Sequence, residues 1–172
     1  MFFYLNATGN FRDPPRRGCA PPRHRHHCTP YIQRAHAEAL VSGAKELEGR
    51  VGSGWAARVA CGDTVAFKIS PGYNAHRWVL VARVCRVRRY STFRAMVEAE
   101  GPRGGAKFLP GRTNTAAVQE YLAMHTQFGG RRQPYHELEA RHGAVALRLG
   151  QMRLGPRAAV LPLPDWGVLA SY

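Results

Sequence analysis

The segment Gly43–Arg50, which reads GAKELEGR, places a lysine, two glutamates and an arginine close together in the chain. Side chains of an extended strand alternate between its two faces, so Glu48 and Arg50 would point one way and Lys45 the other. A bend at Gly43 could bring Lys45 beside Glu48. Such a cluster can grip a polar ligand, and an activated lysine within it could also carry out acid–base chemistry. An ion pair on an exposed strand is the alternative that this spacing leaves open.

The elements around this segment are predicted from the spacing of apolar residues. A helix is predicted from Thr29 to Gly43, because apolar residues recur at three- and four-residue intervals and Gly43 suits a helix end. Alternating apolar residues predict a strand from Thr64 to Ile69. The stretch from Trp78 to Tyr90 is rich in β-branched residues and predicts a longer strand that is partly covered on both faces, as in a small barrel.

Further elements are predicted downstream. Ser91 and Asn114 are suitable caps for two helices, which would end at Glu100 and His125. A loop is predicted from Pro102 to Arg112, a mobile Gly- and Arg-rich segment from Gln127 to Gln133, and a last strand from Gly143 to Leu149. Four side chains are predicted to be buried without a chemical role: His36, His125, Cys61 and Cys85.

The charge balance favours a polyanionic partner. The 172 residues include 25 Lys and Arg against 11 Asp and Glu, which gives a formal net charge of +14. Nucleic acid is the usual partner of such a surface. Most of the basic residues are arginine, and Gly, Ala and Pro are abundant, so a GC-rich coding sequence is an alternative source of the same bias.

Cysteine usage and hydropathy indicate the compartment. No Cys-x-x-Cys pair and no secretory signal core is apparent, which predicts a reducing intracellular compartment, cytoplasmic or nuclear. No apolar run approaches the roughly 20 residues that span a bilayer, so no membrane partner is predicted.

Three regions are predicted along the chain: a flexible basic Pro-, Arg- and His-rich arm at 1–28, a folded domain at 29–150 and an irregular Pro-rich tail at 151–172. The arm contains Cys and His side chains that could suggest zinc: Cys19, His24, His26, His27 and Cys28. Their spacing suits a tetrahedral site poorly, so no metal site is predicted and no cofactor is implied.

The order of these motifs resembles the ASCH domain family of the PUA-like superfamily. The residues that carry the resemblance are Gly43, Lys45, Glu48, Arg50, Gly62, Asp63, Tyr90, Ser91, Thr92, Phe93, Glu100, Gly101, Leu109, Pro110, Gly111 and Tyr121. They cover the region from Thr29 to Gly150. The resemblance implies an α+β fold, namely a small PUA-like β-barrel flanked by helices, with a cleft beside the Gly-x-Lys-x-x-Glu-x-Arg motif.

The resemblance also implies two functions for that cleft. The family is linked to RNA, and some bacterial members are amidohydrolases that deacylate cytidine nucleosides with a lysine, a threonine and a glutamate. Here the corresponding catalytic set would be Lys45, Glu48 and Glu100, with Glu48 in place of the threonine hydroxyl. An RNA-processing hydrolase is a variant of the same hypothesis. A lysine between two carboxylates is better suited to gripping a ligand than to taking up a proton, so binding is the leading hypothesis. The structural alternatives are an ion pair that closes the barrel and, for Arg50, a salt bridge to Glu46 or Glu48.

The predicted ligand is therefore RNA or a modified nucleobase, held by the cleft and by a basic strand. The residues predicted to bind it are Lys45, Arg50, Tyr73, Arg83, Arg86 and Arg88. Exposed, solvated arginines are the alternative for the strand, and a place in the core or at the barrel rim is the alternative for Tyr73. A protein-interaction module that docks a partner through the arm or the tail is the third hypothesis.

Overall fold

The computed structural model describes residues 25–27, 30–70, 78–128 and 131–160. The strands are β1 (His26–His27), β2 (Tyr31–Gln33), β3 (Leu47–Val51), β4 (Thr64–Ser70), β5 (Trp78–Tyr90), β6 (His125–Phe128), β7 (Arg131–Pro134) and β8 (Ala144–Pro156). The helices are α1 (Arg34–Val41), α2 (Gly54–Arg58), α3 (Phe93–Ala99), α4 (Gly104–Phe108), α5 (Asn114–Ala123), α6 (Tyr135–His142) and α7 (Arg157–Val160).

One curled sheet organises the domain. Its strands follow the order β1–β4–β5–β8–β3, and β2 pairs with β4 beyond β1. The pairs β4–β5, β5–β8 and β3–β8 are antiparallel, whereas β1 and β2 lie parallel to β4. The architecture is therefore α+β, with a barrel-like sheet flanked by helices.

Two irregularities curl the long β5–β8 ribbon. The register shifts between Val81 and Arg83 and again between Val84 and Arg86, as β-bulges do. Gln151 adopts a positive φ of 49° in the first of these. Between the two shifts, Gly150 pairs with Arg83, and a Cβ on Gly150 would lie 2.7 Å from Cys85 Sγ, so a larger residue would require the Cys85 side chain to move. Bulges increase the local twist and bend the ribbon, which suits a barrel-like wall.

The two faces of the sheet pack into separate cores. The inner face holds alternating residues of β4, β5 and β8, which pack on α1 around Phe67, Leu80 and Leu147. On the other face, the end of the sheet near Ala144 packs against α3 to α6, with Phe93 and Tyr121 stacked at 4.7 Å between ring centroids. Burial on both faces explains why the strands are apolar at consecutive positions.

The prediction for β5 is confirmed from Trp78 to Tyr90, and β4 runs one residue beyond the predicted Ile69. The region predicted as one helix from Thr29 to Gly43 is instead the strand β2 followed by α1; Thr29 lies outside the described residues. Ile32 explains the difference. It is buried in the inner core, and a strand that pairs with β4 places its side chain there just as a helix would.

The predicted caps are displaced by one residue. Thr92, not Ser91, caps α3, since its side chain accepts a hydrogen bond from Ala95 N at 3.0 Å. Thr113 caps α5 in the same way, and the Asn114 side chain instead accepts from Gly105 N of α4 and donates to Gly101 O.

Several segments predicted to be irregular are ordered elements. Helix α4 lies within the predicted loop from Pro102 to Arg112, and the β6–β7 hairpin occupies the segment predicted as mobile. The last strand extends to Pro156 and α7 follows, where the irregular tail was predicted. Residues 25–27 form β1 at the end of the predicted arm, because Asp63 binds Arg25 N and His27. The rest of the arm before residue 25 and the tail after residue 160 lie outside the described residues.

No helix within the described ranges is both long and apolar enough to cross a membrane.

Candidate functional site

A bend after α1 delivers Lys45 to the start of β3. Gly43 has a φ of 80°, which glycine adopts without strain. Lys45 N then donates to Ala39 O at 2.9 Å, and Glu46 N donates to Lys107 O at 2.9 Å. These two bonds fix the path of the chain, so the Lys45 side chain enters the domain just before the strand begins.

Lys45, Glu48 and Arg50 form a buried triad. Lys45 Nζ lies 3.0 Å from Glu48 Oε2, and Arg50 Nη2 lies 2.6 Å from Glu48 Oε1. The side chains of Lys45, Glu48 and Arg50 are 2 %, 5 % and 16 % exposed. Each carboxylate oxygen therefore lies in an ion pair, although Oε2 makes no hydrogen bond of normal geometry within the described residues. The burial of the three side chains excludes the exposed surface ion pair considered for this segment.

The alternation of β3 directs the triad to the inner face of the sheet. Glu48 pairs with Leu147 and Arg50 pairs with Val145, and both partners belong to the inner core. Gly49 points to the other face, where a Cβ would lie 2.4 Å from Tyr121 Oη. Glycine is thus required at this position for the tyrosine hydroxyl to reach the edge of β3.

Arg50 spans the open seam of the curled sheet. Its Nη2 also donates to Tyr31 O of β2 at 2.7 Å, and its guanidinium lies 5.4 Å from the centroid of the Phe67 ring. Strands β3 and β2 stand at opposite ends of the sheet order. A single side chain therefore connects the two edges that backbone pairing leaves apart.

The charges of the triad reinforce one another. Burial disfavours ionisation of Glu48, but the positive charges of Lys45 and Arg50 outweigh it and lower the pKa of Glu48. Burial also disfavours the charged form of Arg50, yet Glu48 raises the pKa of Arg50. Burial, reinforced by the charge of Glu48, raises the pKa of Tyr121 well above its usual value, so its hydroxyl keeps its proton.

A cleft of about 960 Å³ opens beside the triad. Strands β2 and β3, helix α1, the end of α5 and the β6–β7 hairpin contribute its walls. The polar side chains that line it are Tyr31, Gln33, His36, Lys45, Glu48, Arg50, Ser53, Ser70, Tyr121, His125, Thr126, Arg132 and Tyr135.

The prediction that His36 and His125 are core residues is wrong. His36 is half-buried and His125 is exposed, and both line the cleft. Burial, followed by the charge of Lys45, lowers the pKa of His36. Periodicity placed His36 on the inner side of α1, but it did not reveal that the cleft opens there.

Two donors in the cleft wall lack an acceptor. Arg50 Nε and Tyr121 Oη are buried, and neither makes a hydrogen bond of normal geometry within the described part of the chain. A buried donor without an acceptor costs about 1–3 kcal/mol, so ligand oxygens that accepted from these atoms would remove that cost.

Glu100 lies apart from the triad. It is not among the residues that line the cleft, and its carboxylate accepts from Arg86 Nη2 at 3.1 and 3.2 Å and from Arg88 Nη1 at 3.1 Å. Tyr90 Oη donates to the same carboxylate at 3.4 Å. Of the predicted catalytic set, the structure therefore brings Lys45 and Glu48 together but not Glu100.

The residues predicted to bind nucleic acid fall into two groups. Arg50 and Lys45 line the cleft, whereas Arg83, Arg86 and Arg88 stand on β5. Arg83 and Arg88 are exposed, and Arg86 is half-buried beside Glu100. Tyr73 lies outside the described residues.

The Gly-Asp turn before β4 anchors the entering chain. Gly62 has a φ of 94°, and Asp63 accepts from Arg25 N and Ala60 N at 3.0 Å each, and bonds to His27 Nε2 at 3.0 Å. Burial opposes the charge of Asp63, but these hydrogen bonds prevail and lower its pKa. The contacts of the Gly-Asp turn are structural, because they hold β1 against the edge of β4.

The thiol prediction for Cys61 and Cys85 is also corrected. Both cysteines are free and exposed, and Cys61 Sγ donates to Cys85 O at 3.0 Å. The bulge at Cys85 removes it from the regular alternation that predicted its burial. Within the described ranges, no group of three or more His, Cys, Asp or Glu side chains could hold a metal ion. Cys19, His24 and Cys28 lie outside those ranges.

Comparison with known proteins identifies the fold and leaves the family open. No protein-family model matches the chain, and no curated protein matches it. The crystal structure of the hypothetical archaeal protein PH0355 is similar to it, with a TM-score of 0.53 and 24% identity, over 73% of this chain and 96% of that one. The solution structure of PF0455 from Pyrococcus furiosus has a TM-score of 0.48 and 24% identity, over 73% and 94%. The likeness to PH0355 supports a barrel-like domain flanked by helices.

Proposed function

We propose that this protein is an ASCH-type domain that binds RNA or a modified nucleobase in the cleft beside the buried triad. Three features support the proposal. The Gly-x-Lys-x-x-Glu-x-Arg motif forms one wall of the cleft, the cleft is large enough for a nucleotide, and the chain carries a net charge of +14.

The pair of unpartnered donors, Arg50 Nε and Tyr121 Oη, carries the proposal. Both residues line the same cleft, from opposite sides of β3, and each influences the pKa of the other. The two donor atoms themselves are closed off from solvent in the free protein, so a ligand would have to displace part of the cleft wall to reach them. Both are donors, so the complementary ligand group is an acceptor oxygen, such as a base carbonyl or a phosphate oxygen. The half-buried His36 and the hairpin residue Arg132 line the space that the rest of a nucleotide would fill.

The geometry favours binding over hydrolysis. Deacylation of cytidine by the predicted set would need Glu100 near Lys45, and Glu100 is held by Arg86 and Arg88 instead. Lys45 Nζ lies 3.0 Å from Glu48 Oε2, so its amine is committed to an ion pair with a carboxylate. Docking of a protein through the arm or the tail depends on residues that the structure does not describe.

The proposal is tested by calorimetry with nucleoside monophosphates and short RNA oligomers at low salt. The informative variant is Tyr121→Phe, with Tyr90→Phe as the control, because Tyr90 bonds to Glu100 away from the cleft. A hydrogen bond contributes about 0.5–1.5 kcal/mol, so Tyr121→Phe should weaken binding about 2- to 12-fold. Tyr90→Phe should leave the affinity unchanged. The melting temperature of Tyr121→Phe should not fall, since the hydroxyl has no well-aligned partner in the free protein.

Two results would contradict the proposal. One is the absence of any nucleotide or RNA binding at low salt, and the other is equal affinity of the two tyrosine variants. The enzyme hypothesis has its own measurement, which is release of the acyl group from an N-acylcytidine by the wild type and its loss in Lys45→Ala.

A further inference from the structure

Five arginines share the outer face of the β5–β8 ribbon, which is the face turned away from the cleft side of the sheet. They are Arg83, Arg86 and Arg88 of β5 and Arg148 and Arg153 of β8. We call this set the arginine row. Only its β5 members were predicted to bind a polyanion.

Strand register places these side chains on one face. Leu80, Ala82 and Val84 of β5 belong to the inner core, and Arg83 lies between them on the opposite face. After the bulge at Cys85, Arg86 pairs with Arg148, which lies between the inner residues of β8. Arg153 pairs with Val81, which packs on α7 at the outer face. Both bulges are therefore needed to align the row.

The row is poorly neutralised. Within the described residues, Glu100 is the carboxylate that forms ion pairs with it, bonding Arg86 and Arg88. Arg83, Arg148 and Arg153 are exposed and have no ion-pair partner in the described ranges. Closely spaced like charges repel, so this arrangement weakens the free protein and gains from a bound polyanion.

We propose that the arginine row binds the sugar-phosphate backbone of single-stranded RNA as a second site. This inference rests on the proposed function, because the same RNA would place a base in the cleft. Because the row lies on the opposite face of the sheet, it would bind phosphates several nucleotides along the strand from that base. Two sites on one small domain would raise the affinity for an oligomer well above that for a mononucleotide.

The spacing of the row favours a linear polyanion. Along β5 the row occupies the positions of Val81, which is opposite Arg153, and then of Arg83, Arg86 and Arg88. The steps are two, three and two residues, and the step of three contains the bulged Cys85. At about 3.3 Å per residue, charges recur at intervals of about 7 Å over about 20 Å. The planar guanidinium fork suits phosphate oxygens in particular, whereas an acidic protein surface would rarely match such a regular row.

The test compares two triple variants of the full chain. The first, Arg83→Gln with Arg148→Gln and Arg153→Gln, removes three unpaired charges of the row. The second removes three exposed arginines elsewhere, through Arg94→Gln, Arg112→Gln and Arg141→Gln. Both lose the same net charge. Affinity for a single-stranded RNA oligomer is measured between about 50 and 200 mM salt, along with affinity for a nucleoside monophosphate.

The row variant should reduce the slope of log affinity against log salt by about 2, at about 0.7 per phosphate contact on a single strand. Over that salt range the wild type then loses about 20-fold more affinity than the row variant. The control variant should keep most of the wild-type slope, and neither variant should change mononucleotide binding.

Three outcomes separate the inference from the proposed function; the first and third would overturn the inference. If the row variant and the control have the same slope while Tyr121→Phe still weakens nucleotide binding, the row is not the second site and the proposed function stands. If the row variant loses RNA affinity but no mononucleotide binds the wild type, the row stands and the cleft proposal fails. If poly-glutamate of equal charge binds the row as tightly as RNA, the surface fits an acidic protein instead.

Discussion

Glu48→Gln is the substitution that most directly tests the buried triad. The carboxylate of Glu48 is 5 % exposed and bonds Lys45 and Arg50 through separate oxygens. Glutamine has the same shape, so packing is retained while the charge is lost. Two cations then remain in a region where neither has a counterion, and the amide nitrogen of glutamine must face one of them.

The expected cost follows from burial. Removal of one partner from a buried ion pair destabilises a protein by about 3–5 kcal/mol, because an uncompensated charge stays behind. For a domain of this length, each kcal/mol corresponds to a shift of about 2–4 °C in the melting temperature. Glu48→Gln should therefore lower the melting temperature by about 6–20 °C.

The matched control is Glu38→Gln. Glu38 forms an ion pair with Arg34 at 2.8 Å on the surface of α1, where the two side chains are 62 % and 54 % exposed. Such pairs contribute about 0–1 kcal/mol. Urea denaturation at pH 7 of the wild type and both variants gives the two differences in the free energy of unfolding.

A cost below about 1 kcal/mol for Glu48→Gln would refute the reasoning, since it would mean that water reaches the triad. Acid provides a second readout. The pKa of Glu48 is lower in the folded protein than in the unfolded chain, so its stabilisation is present above the unfolded pKa and is lost as the pH falls through the folded pKa. The difference between wild type and Glu48→Gln should therefore shrink in strong acid, and a constant difference would contradict the assignment.

Three further predictions concern packing, pH and capping. Gly49→Ala should cost about 1–3 kcal/mol by forcing Tyr121 out of place, and an unchanged melting temperature would show that β3 can shift. Asp63→Asn should destabilise the protein at pH 7 and progressively less as the pH falls through the lowered pKa of Asp63, whereas a pH-independent loss would exclude its charge as the cause. Thr92→Ala should cost about 1 kcal/mol and Ser91→Ala close to nothing, and the reverse order would restore Ser91 as the cap of α3.

Local patterns predicted the strands of the sheet well. The bounds of β5 and the start of β4 follow from runs of β-branched and alternating apolar residues, which carry their own signal. The bend at Gly43 and the shared face of Glu48 and Arg50 also follow from local rules, whereas the inward direction of that face does not. These features depend on neighbours within a few residues, so a single sequence contains the information.

Features set by distant partners could not be predicted in this way. The segment Tyr31–Gln33 has only three residues, and its apolar spacing is compatible with the helix α1 that follows it. Pairing with β4 is what makes this segment a strand. Glu100 is drawn to Arg86 and Arg88 because the bulge at Cys85 turns both arginines to the outer face. The sequence shows no direct sign of that bulge, so the position of Glu100 relative to Lys45 was open.

The geometry separates the residues that hold the site from those that meet a ligand. Glu48 places both oxygens in ion pairs of the triad, although Oε2 makes no hydrogen bond of normal geometry within the described residues. What it does is orient Arg50, whose Nε and the hydroxyl of Tyr121 are left to meet an acceptor oxygen. Stability and affinity should consequently respond to different substitutions. Glu48→Gln should lower both, since it disturbs the position of Arg50, whereas Tyr121→Phe should lower affinity alone. A variant pair that reversed this order would place ligand recognition on the carboxylate itself.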